Sequence, residues 1–304
     1  MIAHANPHYD QWLKPKKNGD SRLICAPSKV LKSVQRKISA RLSDQYLDIL
    51  PKPVMGFVKV NDWEKKRDII RNARKHLGHD HMVNMDIRSF FPSITAMHLD
   101  RGLAVLYGSP KFSTEILYHL VLHNGSLPPG APTSPILSNI AFQDLDWYIQ
   151  AICKEEGVKY TRYVDDLTFS SDTKIPLRLL NDIREALGQF RFDINPEKTS
   201  IFGPSDEKTV TGIGLKEGKI VLAAESKKEF LANIRYYHQF KHESSVASPS
   251  VDGARKLREM KKSIRGQLEF ARRVEGGKGE YYNELKQAYE QTLEEKDFVT
   301  TVYI

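Results

Sequence analysis

Two adjacent aspartates, Asp165 and Asp166, stand between two β-prone runs. Tyr160, Tyr163 and Val164 precede them; Leu167, Thr168 and Phe169 follow. Such runs, broken by a pair of Asp, predict a hairpin with the acids at its tip. On a regular strand neighbouring side chains point to opposite faces, but at a turn both can reach one site. Two hard oxygen ligands in one place suit Mg²⁺. A solvated turn accounts for the same doublet, because Asp is common in turns. A third carboxylate, Asp86, lies within the alternating run Val83, Met85, Ile87, on the face opposite those apolar side chains. It serves either as a helix cap, with Ser89, Ser93 and Thr95 nearby, or as a further oxygen ligand beside the doublet. Three separated carboxylates suit metal-assisted phosphoryl transfer, in which two Mg²⁺ ions about 4 Å apart activate a hydroxyl and stabilise the leaving oxygens. A polymerase and a nuclease both use that chemistry, and the spacing alone does not choose between them.

The elements that must position these acids alternate between helix and strand. Arg22 to Ala26 is a short strand, and Ser28 caps a basic helix through Val30, Leu31, Val34 and Ile38. A second helix is predicted from Trp63 to Leu77, ended by Gly78. Residues 98–122 read as helix. Residues 126–136 hold four prolines and a glycine and cannot be regular structure. Helix resumes with Ile136, Ile140, Leu145 and Ile149. After the hairpin come a helix over Leu179 to Phe190, a turn at Asn195-Pro196 that returns as a strand, and a hairpin over 208–222. Everything from Ser226 reads as helix, with a polar break at His242 to Ser250. His76, His79 and His81 lie close together but lack partners at zinc spacing.

The 304 residues are 40% hydrophobic and 28% charged, as in soluble globular proteins. Lys and Arg number 46 against 38 Asp and Glu, a net charge of +8. That excess fits a polyanionic partner, nucleic acid first, although an ordinary basic surface gives the same figure. Cys25 and Cys153 are the only cysteines, and nothing argues that they pair, which points to a reducing compartment. The first twelve residues lack the apolar core of a secretory signal, and no run approaches the ~18 residues of a membrane span. A cytoplasmic protein with no membrane partner is expected.

Tyr163-Val-Asp-Asp166 resembles the active-site box of reverse transcriptases. Asp86-Ile-Arg-Ser-Phe-Phe-Pro-Ser-Ile94 looks like their first catalytic-aspartate motif, and Leu127 to Asn139 like their template- and nucleotide-contacting loop. Order and spacing match from Arg22 to the C-terminal helices. Asn72-Ala-Arg-Lys-His76 and Val210-Thr-Gly212 resemble two signatures of bacterial retron reverse transcriptases, and the sequence is identified as a member of that family. The resemblance implies an α+β right-hand polymerase with an antiparallel palm sheet and a helical C-terminal thumb. Fingers would span 1–85, the palm 86–222 with an inserted fingers segment near 98–135, and the thumb 223–304. It implies a cognate structured non-coding RNA that is both primer and template, and a branched RNA-linked single-stranded DNA (msDNA) as product. It also implies anti-phage defence with a separate effector protein, and allows higher-order assembly. An intron or abortive-infection reverse transcriptase, and an RNA-binding scaffold of a toxin–antitoxin complex, are the alternatives.

Carried over by position, Asp86, Asp165 and Asp166 would hold two Mg²⁺ ions, with the carbonyl of Ile87 as an added ligand. Phe91 would pack under the nucleotide sugar and exclude a 2′-hydroxyl. Arg22, with Lys16 or Lys17, would meet the triphosphate of the dNTP, and Lys198 would help protonate pyrophosphate. Pro129, Gly130 and Ala131 would line the nucleotide. Asn72, His76, Val210, Thr211 and Gly212 would contact or position RNA. Two positions depart from the family pattern: Pro129 stands where Gln is usual, and Val164 where Ala is common. The loop backbone is expected to keep its shape at Pro129 while losing one polar contact.

Overall fold

Alternation decides the central sheet. Val83, Met85 and Ile87 on β3 (His81–Ile87) enter the main apolar core, leaving Asn84 and Asp86 on the other face. The computed structural model describes residues 8–15, 19–59, 66–107, 114–246 and 251–294. The chain divides into two compact units, Met1–Asp206 and Glu207–Ile304.

In the first unit β3 is an inner strand of a four-stranded antiparallel sheet. Its partners are β4 (Lys159–Tyr163), β5 (Asp166–Ser171) and β6 (Ile194–Phe202), in the order β4-β5-β3-β6. One face buries Leu167 and Phe169 completely, and each such side chain contributes roughly 1.5–3 kcal/mol. Two helices share that core: α6 (Ser134–Glu155) through Ile140, Phe142, Leu145 and Ile149, and α7 (Leu177–Gln189) through Leu179, Leu180, Ile183 and Leu187. Pro135 sits in the first turn of α6, where no N–H is needed, so the helix begins two residues before Ile136.

Several elements differ from the sequence reading. The strand Arg22 to Ala26 belongs to a hairpin, β1 (Tyr9–Pro15) with β2 (Ser21–Pro27). Helix α1 (Lys29–Tyr46) starts where expected, with Ser28 Oγ accepting from the Leu31 N–H. Of the helix expected from Trp63, residues 63–65 lie outside the described residues; the described part holds α2 (Ile69–Arg74), which Asp68 caps by accepting from the Arg71 N–H at 2.9 Å. The described part of 98–122 holds α4 (Ala96–Tyr107) and α5 (Thr114–Val121), and 108–113 lie outside the described residues. Asn195 and Pro196 do not turn the chain but lie inside β6, an edge strand that tolerates proline. There the register with β3 shifts, so that 196–199 oppose Met85 alone.

The second unit holds a three-stranded sheet, β7 (Lys208–Val210), β8 (Ile213–Lys216) and β9 (Lys219–Leu222). Its two-residue turns, Thr211-Gly212 and Glu217-Gly218, have positive φ throughout, the type I′ pattern that follows strand twist. Leu222 joins Ile234, Ile264 and Leu285 in one core with α8 (Ala224–Val246), α9 (Val251–Glu275) and α10 (Glu280–Glu294). The sheet thus packs with the helices of the second unit. No described helix is long and apolar enough to cross a membrane.

Candidate active site

The register of the sheet brings the three acids together. Asp86 pairs directly with Asp166 across β3 and β5, and the Ile87 N–H donates to the Asp165 carbonyl at 3.0 Å. Val164 and Asp165 form the two-residue turn between Tyr163 and Asp166. Val164 has φ +64, a left-handed conformation that a β-branched residue adopts only when its surroundings enforce it. The Arg162 guanidinium donates to its carbonyl at 3.1 Å. Gly56 packs against it so closely that a Cβ there would lie 2.8 Å from the Val164 nitrogen.

Behind the turn sits a buried ion pair. Arg162 and Asp146 are both fully enclosed, with Nη2 to Oδ2 at 2.6 Å and Nε donating to both carboxylate oxygens. Tyr160 donates to Asp146 at 2.9 Å, Arg162 Nη1 donates to Asn139 Oδ1 at 3.1 Å, and the guanidinium lies 4.7 Å from the Phe142 ring centre. Burial works against the Arg162 charge, but the Asp146 carboxylate more than offsets it and holds the guanidinium above its ordinary pKa. The residue types were visible in the sequence; their pairing, sixteen positions apart, was not.

At the front, burial pushes the Asp166 carboxyl up to about 7, and the charges of Asp165 and Asp86 push the same way against Lys198. Asp165 is also raised, first by burial and then by Asp86, while Lys198 and Arg22 hold it down. Lys198 projects from the shifted segment of β6, and its ammonium donates to Asp86 Oδ1 at 2.7 Å. Among the described residues no three His, Cys, Asp or Glu side chains are already arranged as a metal site. The donor set nonetheless fits a divalent cation: three hard carboxylates, partly buried, whose mutual repulsion a cation would relieve. Lys198 shows that positive charge is drawn to this point.

Arg22, on β2, acts electrostatically on Asp165, and its hairpin is tied to the proline-rich loop by the Cys25 N–H donating to the Pro129 carbonyl at 2.7 Å. Gly130, with φ +119, is needed there, since a Cβ would lie 2.9 Å from the Cys25 oxygen. Ala131 is buried beside Cys25 and Tyr9. Phe91, in the short helix α3 (Phe90–Ser93), is half-buried. Lys16 and Lys17 lie outside the described residues.

Asn72 and His76 are enclosed within the first unit. Both are 0% exposed, so neither side chain can touch RNA from where it stands. The His76 ring nitrogens lie 2.7 Å from Ser170 Oγ and from Thr161 Oγ1, and burial lowers its pKa to about 3, keeping it neutral. It stitches the chain after α2 onto β4 and β5, on the sheet face that alternation also gives Asp166. The Asn72 side-chain amide has no hydrogen-bond partner among the described residues. In the Val210–Gly212 element Val210 is buried, and the turn exposes Gly212 and part of Thr211.

Comparison with known proteins gives this geometry a family. Residues 14–217 match the family model "Reverse transcriptase (RNA-dependent DNA polymerase)". The chain is 32% identical to Retron Ec86 reverse transcriptase of Escherichia coli over 243 residues, covering 78% of this chain and 72% of that protein. It is 30% identical to Retron Mx162 reverse transcriptase of Myxococcus xanthus over 257 residues, covering 75% of this chain but only 51% of that protein. The structure of apo telomerase from Candida tropicalis is similar, with a TM-score of 0.54 at 14% identity over 93% of this chain and 61% of that one. At that identity the likeness speaks for the fold, a right-hand polymerase with an antiparallel palm sheet. A reverse transcriptase domain copies RNA and depends on a divalent cation. The chain belongs to the reverse transcriptase family of RNA-directed DNA polymerases, in its retron branch.

Proposed function

We propose that the chain makes msDNA, using a cognate structured RNA as template and primer and dNTPs as substrates. The observation that carries this reading is the convergence of Asp86, Asp165 and Asp166 on one strained turn. In this reading the three carboxylates and the Ile87 carbonyl hold two Mg²⁺ ions, which supply activation of the priming hydroxyl and stabilisation of the leaving pyrophosphate. Arg22 and Lys198 are the cations placed to meet triphosphate and pyrophosphate charge. Phe91 forms the floor under the sugar, with Pro129, Gly130 and Ala131 as the nucleotide-side loop. Lys16 and Lys17 complete the triphosphate contacts. Thr211 and Gly212 offer RNA a turn, while Asn72 and His76 act through the packing of the sheet.

Residues 1–85 serve as fingers, 86–222 as palm with an inserted fingers segment near 98–135, and 223–304 as thumb. The protein works in the cytoplasm, in anti-phage defence, with a separate effector. Sequencing the nucleic acid that copurifies with the full chain tests this. The expected result is one abundant structured RNA joined through an internal guanosine 2′-hydroxyl to DNA copied from that same RNA. Finding only unlinked RNA, with no attached cDNA, would contradict the reading.

A further inference from the structure

Phe57 combines features that rarely occur together. It is a large apolar residue, 40% exposed, and its backbone is left-handed with φ +57. Exposure forfeits burial, and the conformation is one that residues with a Cβ avoid. A segment that accepts both is held by its surroundings, and such strain collects at working sites. The restraint here is visible in the preceding residue. The Gly56 carbonyl accepts from Asn139 Nδ2 at 3.0 Å, and its Cα approaches too near Val164 for any side chain to fit. The chain entering Phe57 is therefore clamped to the turn that carries Asp165.

The ring of Phe57 lies over Phe91, with centroids 6.1 Å apart and planes inclined by 22°. Phe91 also meets its chain neighbour Phe90, with centroids 5.9 Å apart and planes inclined by 31°. Phe90 is itself anchored in the core against Phe142 and Phe192. Phe91 is thus in contact with a core aromatic and with a partly exposed one whose chain is clamped to the Asp165 turn.

We infer that Phe57 is a positioning residue for sugar selection: it sets the angle of the Phe91 ring and couples that ring to the Asp165 turn. This rests on the reading of Phe91 as the residue under the nucleotide sugar. Offset aromatic stacking is strong enough to change discrimination by roughly three- to tenfold.

The test compares dTTP and UTP incorporation by the full-length protein on poly(rA) primed with oligo(dT). Phe57→Ala and Phe57→Leu should each lower the dTTP-over-UTP preference by roughly three- to tenfold, with kcat for dTTP nearly unchanged. Phe57→Tyr, which keeps the ring, should retain the preference. Phe57→Leu preserves apolar volume, so the test stands if the alanine variant folds poorly. Phe91→Val, measured alongside, should lower the preference further, and adding Phe57→Ala to it should have little extra effect. If Phe91→Val leaves the preference intact, the reading of Phe91 fails and the inference with it. If Phe91→Val lowers it but both Phe57→Ala and Phe57→Leu do not, the inference alone is overturned.

Discussion

Asp166→Asn is expected to make the protein more heat-resistant while it removes nucleotide addition. The folded protein holds the Asp166 carboxyl near 7, against an ordinary value of 3.8, because the group is buried beside Asp165 and Asp86. Between those two values the folded state binds a proton that the unfolded state has released. The stability contributed by this group is therefore full below about pH 4 and is lost as pH rises through 7. A shift of this size corresponds to roughly 2–4 kcal/mol, the lower end allowing for partial exposure. The asparagine variant keeps the shape without the charge, so its melting temperature should exceed the parent's by several degrees at pH 8 and by little at pH 4.5. Mg²⁺ at millimolar concentration should narrow the gap at pH 8 by stabilising the parent. Thermal unfolding at both pH values, with and without Mg²⁺, checks this. A gap independent of pH would mean that Asp166 is not under charge stress.

Arg162→Met is expected to destabilise the first unit by about 3–5 kcal/mol, since it leaves the Asp146 carboxylate enclosed without its partner. Asp146→Leu together with Arg162→Met should recover much of that loss, because two apolar side chains replace a desolvated pair. Catalysis should not recover with it. Arg162 Nη1 also holds the Val164 carbonyl, so the double variant folds but leaves the left-handed turn without its tether. Denaturant unfolding and primer extension on the same preparations separate the two effects. Full polymerase rate in the refolded double variant would show that the network fills the core and does not position the acids.

The parts of this site legible in the sequence are those governed by local rules. The period-two pattern of Val83, Met85 and Ile87 fixes the face of Asp86, and the β-prone runs about Asp165 and Asp166 place a turn between them. The prolines of 126–136 exclude regular structure until Pro135, which a first helical turn accepts. What stayed hidden depends on residues distant in sequence. Pro196 reads as a turn because nothing local says that β6 is an edge strand, and so the approach of Lys198 to Asp86 was not visible. Asn72 and His76 look like surface recognition residues, yet His76 reaches Thr161 and Ser170, more than eighty positions away. Gly56 and Phe57 carry no local signal at all; only the approach to Val164 and the stack on Phe91 give them meaning. The hairpin of β1 and β2 was half-seen because β1 leaves all but Tyr9 exposed and has no apolar alternation.

The central claim is that Asp86, Asp165 and Asp166 form the centre where DNA is made. Primer extension with Mg²⁺ by the full-length protein carrying both Asp165→Ala and Asp166→Ala tests it most directly, with retention of its RNA followed on the same sample. The account predicts that cDNA disappears, a fall of more than about 10²-fold, while RNA binding persists. Undiminished cDNA synthesis by that variant would contradict it.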